Sequence, residues 1–388
     1  MKLAIVGTGV SGLVAAWLFQ REHEVTVFEA RHRIGGHTNT VDLEVEGRSF
    51  AIDTGFIVHN DRTYPNLTRI FEELGVRTKA TSMSFSVREE ATGLEYSSQS
   101  ILARRRNAWN PRVLRMVRDI LRFNRDAVRL VETDDPSSLG EMLQARGYSQ
   151  EFVNLYIVPM GASIWSTDAE RMLSFPAQTF VRFLLNHGLT SLVDRPAWIV
   201  VEGGSMQYVK KLIAPFADRI HLDSPVQRIA RDAERETLGA MKYQSNEAVL
   251  HSDASLLPRA RRAWASWNYH LPKQPRDRVV VTYDMNALQG LREAPLNFCV
   301  SLNPGDRIDP SKVLYRTRYD HPLFTLESVA AQKRIDEISG PRHTYYCGAY
   351  WRYGFHEDGV LSALAVAKKF GISLEGALAP ELRAEAAE

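Results

Sequence analysis

A short apolar segment followed at once by three closely spaced glycines constrains the fold of this chain more than any other feature. Lys2–Val6 has the composition of a strand buried in a parallel sheet, and a helical stretch begins at Leu13. Between them, Gly7 permits a tight turn, Gly9 lets the backbone approach a pyrophosphate, and Gly12 lets the helix pack closely on the strand. The pattern predicts a βαβ unit whose helix N-terminus binds an anion.

An acidic residue stands at the distance that this unit requires. The second predicted strand, Glu24–Phe28, is followed by Glu29, twenty residues after Gly9. A carboxylate in this position accepts hydrogen bonds from a ribose hydroxyl in dinucleotide-binding folds. A glycine pattern alone is weak evidence, because a glycine turn can be purely structural. Here strand, helix and acid agree, and together they predict a nucleotide site.

A second glycine pair follows soon after the acidic residue. Gly35 and Gly36 would let backbone amides approach a second stretch of phosphate, and Arg33 would supply charge-assisted hydrogen bonds to it. The alternative interpretation is a surface turn with solvated arginines. Further on, Asp53–Gly55 ends another apolar strand beside the predicted site. A plain NAD-binding domain does not need this second glycine pair, so the pattern favours FAD.

These segments resemble the flavin-containing amine oxidase superfamily, which includes protoporphyrinogen oxidases and phytoene desaturases. The resemblance rests on GTGVSG, FEARHRIGGHT and DTG, and on the C-terminal segments Tyr345–Tyr350, Gly354–Gly359 and the helical Val360–Phe370. In that superfamily a strand delivers a glycine to the flavin here, and the final helix points its N-terminus at the cofactor. The variants GGHTNT and YGFHEDG resemble a bacterial subgroup of predicted FAD-binding oxidoreductases, similar also to the N-terminal flavin domain of plant cyclopropane fatty acid synthases.

The glycine pattern and the resemblance together define the predicted cofactor site. By resemblance, Val226 matches the position whose backbone meets the adenine, and Gly348 matches the glycine at the flavin. Glu357 and Asp358 precede a helix, where acids suit the helix dipole in any protein, so a helix-start role is an equal alternative for them. The predicted FAD-binding residues are Gly7, Gly9, Ser11, Gly12, Glu29, Arg33, Gly35, Gly36, His37, Thr38, Gly55, Val226, Gly348, Glu357 and Asp358. No catalytic residue and no metal ligand is assigned.

The chain departs from the superfamily pattern near Arg231. The superfamily continues there through a hairpin to another apolar strand, whereas Gln227–Arg231 leads almost directly into a helical stretch, Asp232–Met241. Either the gene lacks this strand, or the printed sequence omits a mobile segment. A missing strand would expose the core of the FAD-binding domain and weaken FAD binding.

The predicted fold class is α/β, with a discontinuous Rossmann-type FAD-binding domain and a second, α+β substrate domain. The FAD-binding domain is assigned to residues 1–75, 195–231 and 340–388, and the substrate domain to residues 76–194 and 232–339. A strand over Arg219–Val226 is expected in the first domain. Strands are expected in the second over Glu247–His251, Asp277–Tyr283 and Leu296–Leu302.

Composition limits the class of protein. The net charge of +2 gives no global signal for a nucleic-acid partner. The two cysteines, Cys299 and Cys347, cannot form a disulfide framework, which favours a reducing, cytoplasmic location. No stretch is apolar over the length needed to span a bilayer, so we expect a soluble protein.

A basic amphipathic helix is predicted over 111–131. One predicted face is apolar and comprises Val113, Met116, Val117, Ile120, Leu121, Val128 and Val131. The simplest interpretation of the arginines opposite is a solvated outer face. The alternative is peripheral contact with an anionic membrane, at its inner face, through Arg115, Arg118, Arg122 and Arg125. Nucleic-acid binding is disfavoured, because no recognition motif accompanies these arginines.

The predicted function is an FAD-dependent oxidoreductase, of the oxidase or desaturase type, that acts on a hydrophobic substrate. A modified fatty acyl chain is suggested by the lipid-linked subgroup alone. One alternative is an amine oxidase that acts on a small amine and releases hydrogen peroxide. Another is an accessory protein that binds FAD and lipid without catalysis.

Overall fold

The computed structural model describes residues 1–132, 135–191, 196–229, 233–274, 278–291 and 293–377. The strands of these ranges, in chain order, are β1 (Lys2–Val6), β2 (Glu24–Phe28), β3 (Thr40–Val45), β4 (Arg48–Asp53), β5 (Val58–His59), β6 (Thr78–Thr81), β7 (Phe85–Glu89), β8 (Glu95–Ser97), β9 (Trp198–Val201), β10 (Ile220–His221), β11 (Tyr243–His251), β12 (Trp267–Leu271), β13 (Val280–Asp284), β14 (Cys299–Leu302) and β15 (Val313–Pro322).

The α-helices of the same ranges are α1 (Val10–Phe19), α2 (Pro65–Glu73), α3 (Pro111–Glu132), α4 (Leu139–Ala145), α5 (Gln150–Phe152), α6 (Val158–Trp165), α7 (Ala169–Leu173), α8 (Ala177–Asn186), α9 (Met206–Ile213), α10 (Ala233–Gly239), α11 (Met285–Leu288), α12 (Leu326–Gln332), α13 (Ile335–Ile338), α14 (His356–Lys368) and α15 (Leu374–Ala377). A π-helical turn, Val153–Ile157, joins α5 to α6. The 3₁₀ helices are Arg105–Trp109, Ala214–Arg219, Ala254–Leu256, Arg261–Ala263, Gly305–Arg307, Pro310–Lys312, Pro341–His343 and Ala349–Trp351.

The chain divides into two compact units, and both are discontinuous in sequence. The first unit comprises Met1–Ala80, Ile199–Met241 and Ala330–Glu388, and the second comprises Thr81–Trp198 and Lys242–Val329. Both units combine helices and strands. No helix in the described ranges is long and apolar enough to cross a membrane.

The first unit is built on the β1–α1–β2 segment. β1 and β2 are parallel neighbours, and β10 adds to the other edge of β2, which gives the order β1–β2–β10. The connecting helix α1 is apolar along its whole length, and all ten of its residues are buried. A β3–β4 hairpin and a three-stranded sheet of order β5–β9–β6 complete the strands of this unit.

The second unit has one seven-stranded sheet of order β15–β11–β14–β13–β12–β7–β8. Neighbouring strands of this sheet are antiparallel except for the parallel pair β12 and β7. One sheet face packs on α3 through an apolar cluster that includes Val87, Tyr269, Val281, Val113 and Met116. The sheet therefore depends on strands that are distant in sequence.

Of two strands expected in the first unit, one is shorter than predicted and the other is not a strand. The strand predicted over Arg219–Val226 is limited to β10, and Ser224–Ile229 has no regular structure. Residues 344–348, where the resemblance implied a strand, are likewise not part of a strand. A short segment holds strand geometry only where neighbours pair with it, and β10 pairs with β2 through two residues only.

Of the three strands predicted in the second unit, one was too short and two were predicted to begin too early. β11 begins at Tyr243 rather than Glu247, β13 begins at Val280, and β14 begins at Cys299. Asp277, the first residue of one predicted strand, lies outside the described residues, as do Arg231 and Asp232. β12, which the sequence analysis did not predict, lies between β13 and β7.

Helix α3 forms as predicted from its periodicity, but its apolar face was partly wrong. Leu121 and Val128 are exposed, whereas Phe123, Ala127 and Leu130 are buried. Leu121 and Val128 lie at the edge of the predicted apolar arc. The core contacts centre on the opposite edge of that arc and leave both side chains outside it.

Candidate nucleotide-binding site

The turn after β1 requires glycine at two positions. Gly7 has φ 96°, a left-handed conformation that disfavours other residues, and its N–H donates to the Phe28 carbonyl at 2.7 Å. At Gly12, a Cβ atom would lie 2.0 Å from the Gly7 carbonyl oxygen. The backbone of α1 can therefore approach this turn only because Gly12 has no side chain.

The space beside this turn is open on the side of the helix N-terminus. Gly9 is the N-cap residue of α1 and has no side chain to accept from the first N–H groups of the helix. A Cβ added at Gly9 would meet no atom within 4 Å. Open space next to uncapped N–H groups at the positive end of a helix is the arrangement that binds a phosphate.

Glu29 lies at the same end of the sheet, directly after β2. Its Oε2 accepts from the Thr8 N–H at 2.8 Å and from the Thr8 hydroxyl, and its Oε1 accepts from the Arg31 N–H at 2.9 Å. Burial alone would raise the pKa of Glu29, but these hydrogen bonds and the Arg31 charge outweigh it and hold the pKa below its ordinary value. The carboxylate is therefore ionised and fixed against the glycine turn.

The second glycine pair lies against the first. A Cβ added at Gly36 would be 2.9 Å from the Gly9 Cα atom. The Gly35 N–H donates to the Thr8 carbonyl at 3.2 Å. Arg33, in the turn that leads to this pair, is partly buried. The structure thus brings together two glycine segments that are separated in the sequence.

Thr38 lies in a buried polar cluster that sequence reasoning did not find. Its hydroxyl contacts the Tyr208 hydroxyl at 2.6 Å and His356 Nε2 at 3.1 Å, and the His356 ring stacks on Phe56 at 3.7 Å between centroids. Burial lowers the pKa of His356 well below its usual value. His356 is therefore neutral. Its only sequence signal was its position in the C-terminal motif, and Tyr208 gave none.

Helix α14 packs on the first turn of α1. A Cβ added at Gly359 would lie 2.6 Å from Val10 Cγ1 and 2.8 Å from Ser11 Oγ. Ser11, a predicted site residue, is therefore in close contact with α14. The N-terminal half of α14 thus helps to fix the glycine turn.

Both acids at the start of α14 have contacts within the protein. Glu357 accepts from the Asn66 side chain at 2.6 Å and from the Leu67 N–H at 3.0 Å, at the N-terminus of α2. Asp358 accepts from the Phe355 N–H at 2.9 Å. Burial raises the pKa of Glu357, and it raises that of Asp358 to about 6. These contacts suit the helix-start alternative, and cofactor contact stays a prediction.

The remaining predicted residues are more widely placed. Gly55 lies in the bend after β4, next to the buried Asp53, which accepts from the Ser205 N–H at 2.8 Å. The Gly348 N–H donates to the Ser362 hydroxyl at 3.0 Å. Val226 follows β10 in a segment without regular structure and is 45% exposed. Contact of Val226 with the adenine stays a prediction.

Several buried polar atoms in the first unit have no hydrogen-bond partner among the described residues, and two of them are on neighbouring residues. These two are His59 Nδ1 and Asn60 Nδ2, on residues that are 1% and 0% exposed. Burial lowers the pKa of His59 to about 4, so its ring is neutral. Buried polar groups are nearly always paired, and such atoms indicate that a ligand or water completes the site.

The family of the chain follows from sequence comparison. The sequence profile described as flavin containing amine oxidoreductase matches residues 10–298. The chain therefore belongs to the flavin-containing amine oxidoreductase family. Amine oxidase [flavin-containing] A of Bos taurus is 23% identical over 313 residues, which cover 74% of this chain and 55% of the bovine protein. The chain spans about half the length of this curated relative.

Solved structures with the same fold come from proteins of different activities. The CLA-producing fatty acid isomerase from P. acnes has a TM-score of 0.67 and 14% identity, over 95% of this chain and 98% of that one. Cyclohexylamine oxidase from Brevibacterium oxydans IH-35A has a TM-score of 0.62 and 14% identity, over 95% of this chain and 99% of that one. At these identities the likeness concerns the fold alone.

FAD is the cofactor of this family, and the residues present fit it. The open space at Gly9 and the uncapped start of α1 suit a pyrophosphate. The ionised Glu29 suits a ribose hydroxyl.

Proposed function

We propose that this chain is an FAD-dependent oxidoreductase that binds FAD on a Rossmann-type unit formed by β1, α1 and β2. The observation that carries the proposal is the open space above Gly9, beside uncapped helix N–H groups and an ionised Glu29. When bound, FAD accepts a hydride equivalent from the substrate. The protein supplies binding, orientation and exclusion of water.

Different residues of the first unit would contact different parts of FAD. The N-terminus of α1 would hold the pyrophosphate, and Glu29 would accept from a ribose hydroxyl. Gly35 and Gly36 would let the backbone approach the second phosphate, with Arg33 as its charged partner. The neutral His356 would fix Thr38 and Phe56 rather than carry a charge to the site.

We propose a hydrophobic substrate, with a modified fatty acyl chain as its most specific form. Support comes from the resemblance to the lipid-linked subgroup and from the fold shared with a fatty acid isomerase. Oxidation of a small amine is the second candidate, supported by the family profile and by the bovine relative. Neither rests on an assigned catalytic residue.

Three side chains of the second unit that could act as acids or bases, His270, His321 and Lys312, have partners within the protein. His270 contacts Glu90 and Arg307, and its burial, together with the charge of Arg307, lowers its pKa to about 4. His321 contacts the Asn246 side chain at 2.8 Å, and Lys312 pairs with an aspartate. These contacts support structural roles for the three side chains.

Anaerobic flavin reduction distinguishes the candidate substrates. The FAD-loaded protein is mixed with acyl phospholipids, unsaturated fatty acids or small amines, and loss of the oxidised-flavin absorbance is followed. The proposal expects an acyl compound to reduce the flavin. Reduction by amines alone, with peroxide release in air, would establish the amine oxidase. Flavin that no compound reduces would favour the accessory protein without catalysis.

A further inference from the structure

The solvent face of α3, in the second unit, carries an ordered set of large apolar side chains. Leu114, Leu121 and Val128 are each more than half exposed and stand seven residues apart. Seven residues are nearly two helical turns, so the three side chains form a stripe along one side of the helix. Isolated exposed leucines are ordinary, but an aligned stripe indicates a contact surface.

Two arginines share this face with the stripe. Arg118 and Arg125 are also seven residues apart, and each follows a leucine of the stripe by four residues. Their side chains are 67% and 75% exposed, and each pairs only loosely, at 3.3 Å, with the aspartate next to it in the chain. Asp119 is buried and Asp126 is partly buried, but both arginine side chains stay mostly in solvent and can contact an external anion as well.

The neighbouring arginines are bound within the protein instead. Arg115 pairs with Glu151 at 2.5 Å, and the Arg122 guanidinium stacks on the Tyr148 ring at 3.9 Å. Of the four arginines predicted to meet a membrane, Arg118 and Arg125 are therefore the two whose side chains are most exposed.

An aromatic residue extends the surface beyond the start of the helix. Trp109 ends the 3₁₀ helix Arg105–Trp109 and is 88% exposed, and Leu102 nearby in the chain is 56% exposed. Tryptophan is enriched where protein meets the interface of a bilayer, because its ring is apolar and its N–H is polar. Trp109 is therefore a largely solvent-exposed tryptophan just before the helix that carries the leucine stripe.

We propose that this face, defined by Trp109, Leu114, Arg118, Leu121, Arg125 and Val128, docks in the plane of an anionic lipid membrane. Such a surface offers phosphates to the arginines and acyl chains to the apolar stripe. A symmetric contact with a second copy would place arginines against arginines, which opposes it. The proposal is independent of the oxidoreductase function, although docking would bring the protein to a lipid substrate.

Vesicle sedimentation of the FAD-loaded protein tests the docking surface. Vesicles of phosphatidylcholine with an equal amount of phosphatidylglycerol are compared with vesicles of phosphatidylcholine alone. Wild-type protein is expected to sediment with the anionic vesicles, and less so as salt increases. The double variant R118Q/R125Q should bind about tenfold more weakly. R115Q, on the same helix but paired internally, is the matched control and should bind within about twofold of wild type.

A second variant measures the contribution of the apolar side chains to vesicle binding separately from that of the arginines. L114S/L121S should also weaken vesicle binding about tenfold, with an unchanged unfolding temperature because both side chains are exposed. Absence of sedimentation for wild type, or equal binding by R118Q/R125Q and R115Q, would overturn the proposal. So would a dimer, seen by light scattering, that L114S/L121S abolishes while vesicle binding is unaffected.

Discussion

Strand β1 and helix α1 are consecutive in the chain and adjoin the same glycine turn, yet they are buried to different degrees. All ten residues of α1 are buried, whereas Lys2, Ala4 and Val6 of β1 are exposed and Val6 is 58% exposed. Within the described residues β1 pairs with β2 alone. The glycine turn is therefore fixed from the side of α1 and α14, and little from the free edge of β1.

The exposure of β1 agrees with the absence from this sequence of a strand that the superfamily pattern includes. In the superfamily pattern, an apolar strand follows the segment that corresponds to Val226. In this chain the next regular element is α10 instead. Val226 and Ile229, in that segment, are 45% and 55% exposed. FAD binding is thus expected to depend on contacts around α1 more than on β1, and substitutions on the two sides separate their contributions.

The largest effect is expected for Gly12→Ala. The new Cβ would lie 2.0 Å from the Gly7 carbonyl oxygen, and because this atom belongs to the backbone the whole turn must shift. We expect a loss of about 3 kcal/mol in the free energy of unfolding, together with loss of FAD. Urea unfolding and flavin content measure the two effects. Gly239→Ala, where a Cβ meets no atom within 4 Å, is the control and should be neutral.

A matched pair of valines compares helix and strand directly. Val14 in α1 is 1% exposed, and its replacement by alanine should cost about 2 kcal/mol of unfolding free energy. Val6→Ala should cost less than about 0.5 kcal/mol, because Val6 is already largely in water. Equal costs for the two variants in urea unfolding would mean that the edge of β1 is covered in solution.

Gly359→Ala tests the contact between α14 and α1 with a smaller change. Its Cβ would meet the Val10 and Ser11 side chains, which can move, so the stability cost should be about 1 kcal/mol. Displacement of the first turn of α1 should weaken FAD binding, measured by titration of the apoprotein. If adding Val10→Ala to this variant does not recover any affinity, the proposed contact does not position the glycine turn.

Glu29→Gln has an expected effect on stability that depends on pH. The folded-state pKa of Glu29 lies below its ordinary value of 4.5, so the carboxylate stabilises the fold above pH 4.5 and this contribution is lost as the pH falls through the lower pKa. The variant should be less stable than wild type by about 1 kcal/mol at neutral pH, and the difference should disappear in acid. A difference that is constant with pH would exclude an ionised Glu29.

The local elements of the site could be predicted from the sequence, whereas its contacts over long sequence distances could not. The glycine turn and Glu29 belong to one βαβ segment with its own pattern. The contact of Thr38 with Tyr208 and His356 joins residues far apart in the chain, and no periodicity signals it.

A second example lies in the seven-stranded sheet. Hydrogen bonds join side chains from five adjacent strands, since Ser301 contacts His251 and Thr282, and Asn268 contacts the Thr282 carbonyl and Ser86. All five residues are almost fully buried. Their adjacency follows from a strand order that is not the chain order, so each looked like an ordinary polar residue in its own strand.

The absorbance spectrum of purified wild-type protein and of Gly9→Ala tests the central claim most directly. Wild type should show the two bands of oxidised flavin, and the cofactor released by heat should elute as FAD. In Gly9→Ala the new methyl group enters space that is open in the protein alone, so the unfolding temperature of the apoprotein should not change while flavin is lost. A Gly9→Ala protein that retains FAD as wild type does, or a wild type that neither contains nor takes up FAD, would contradict the assignment.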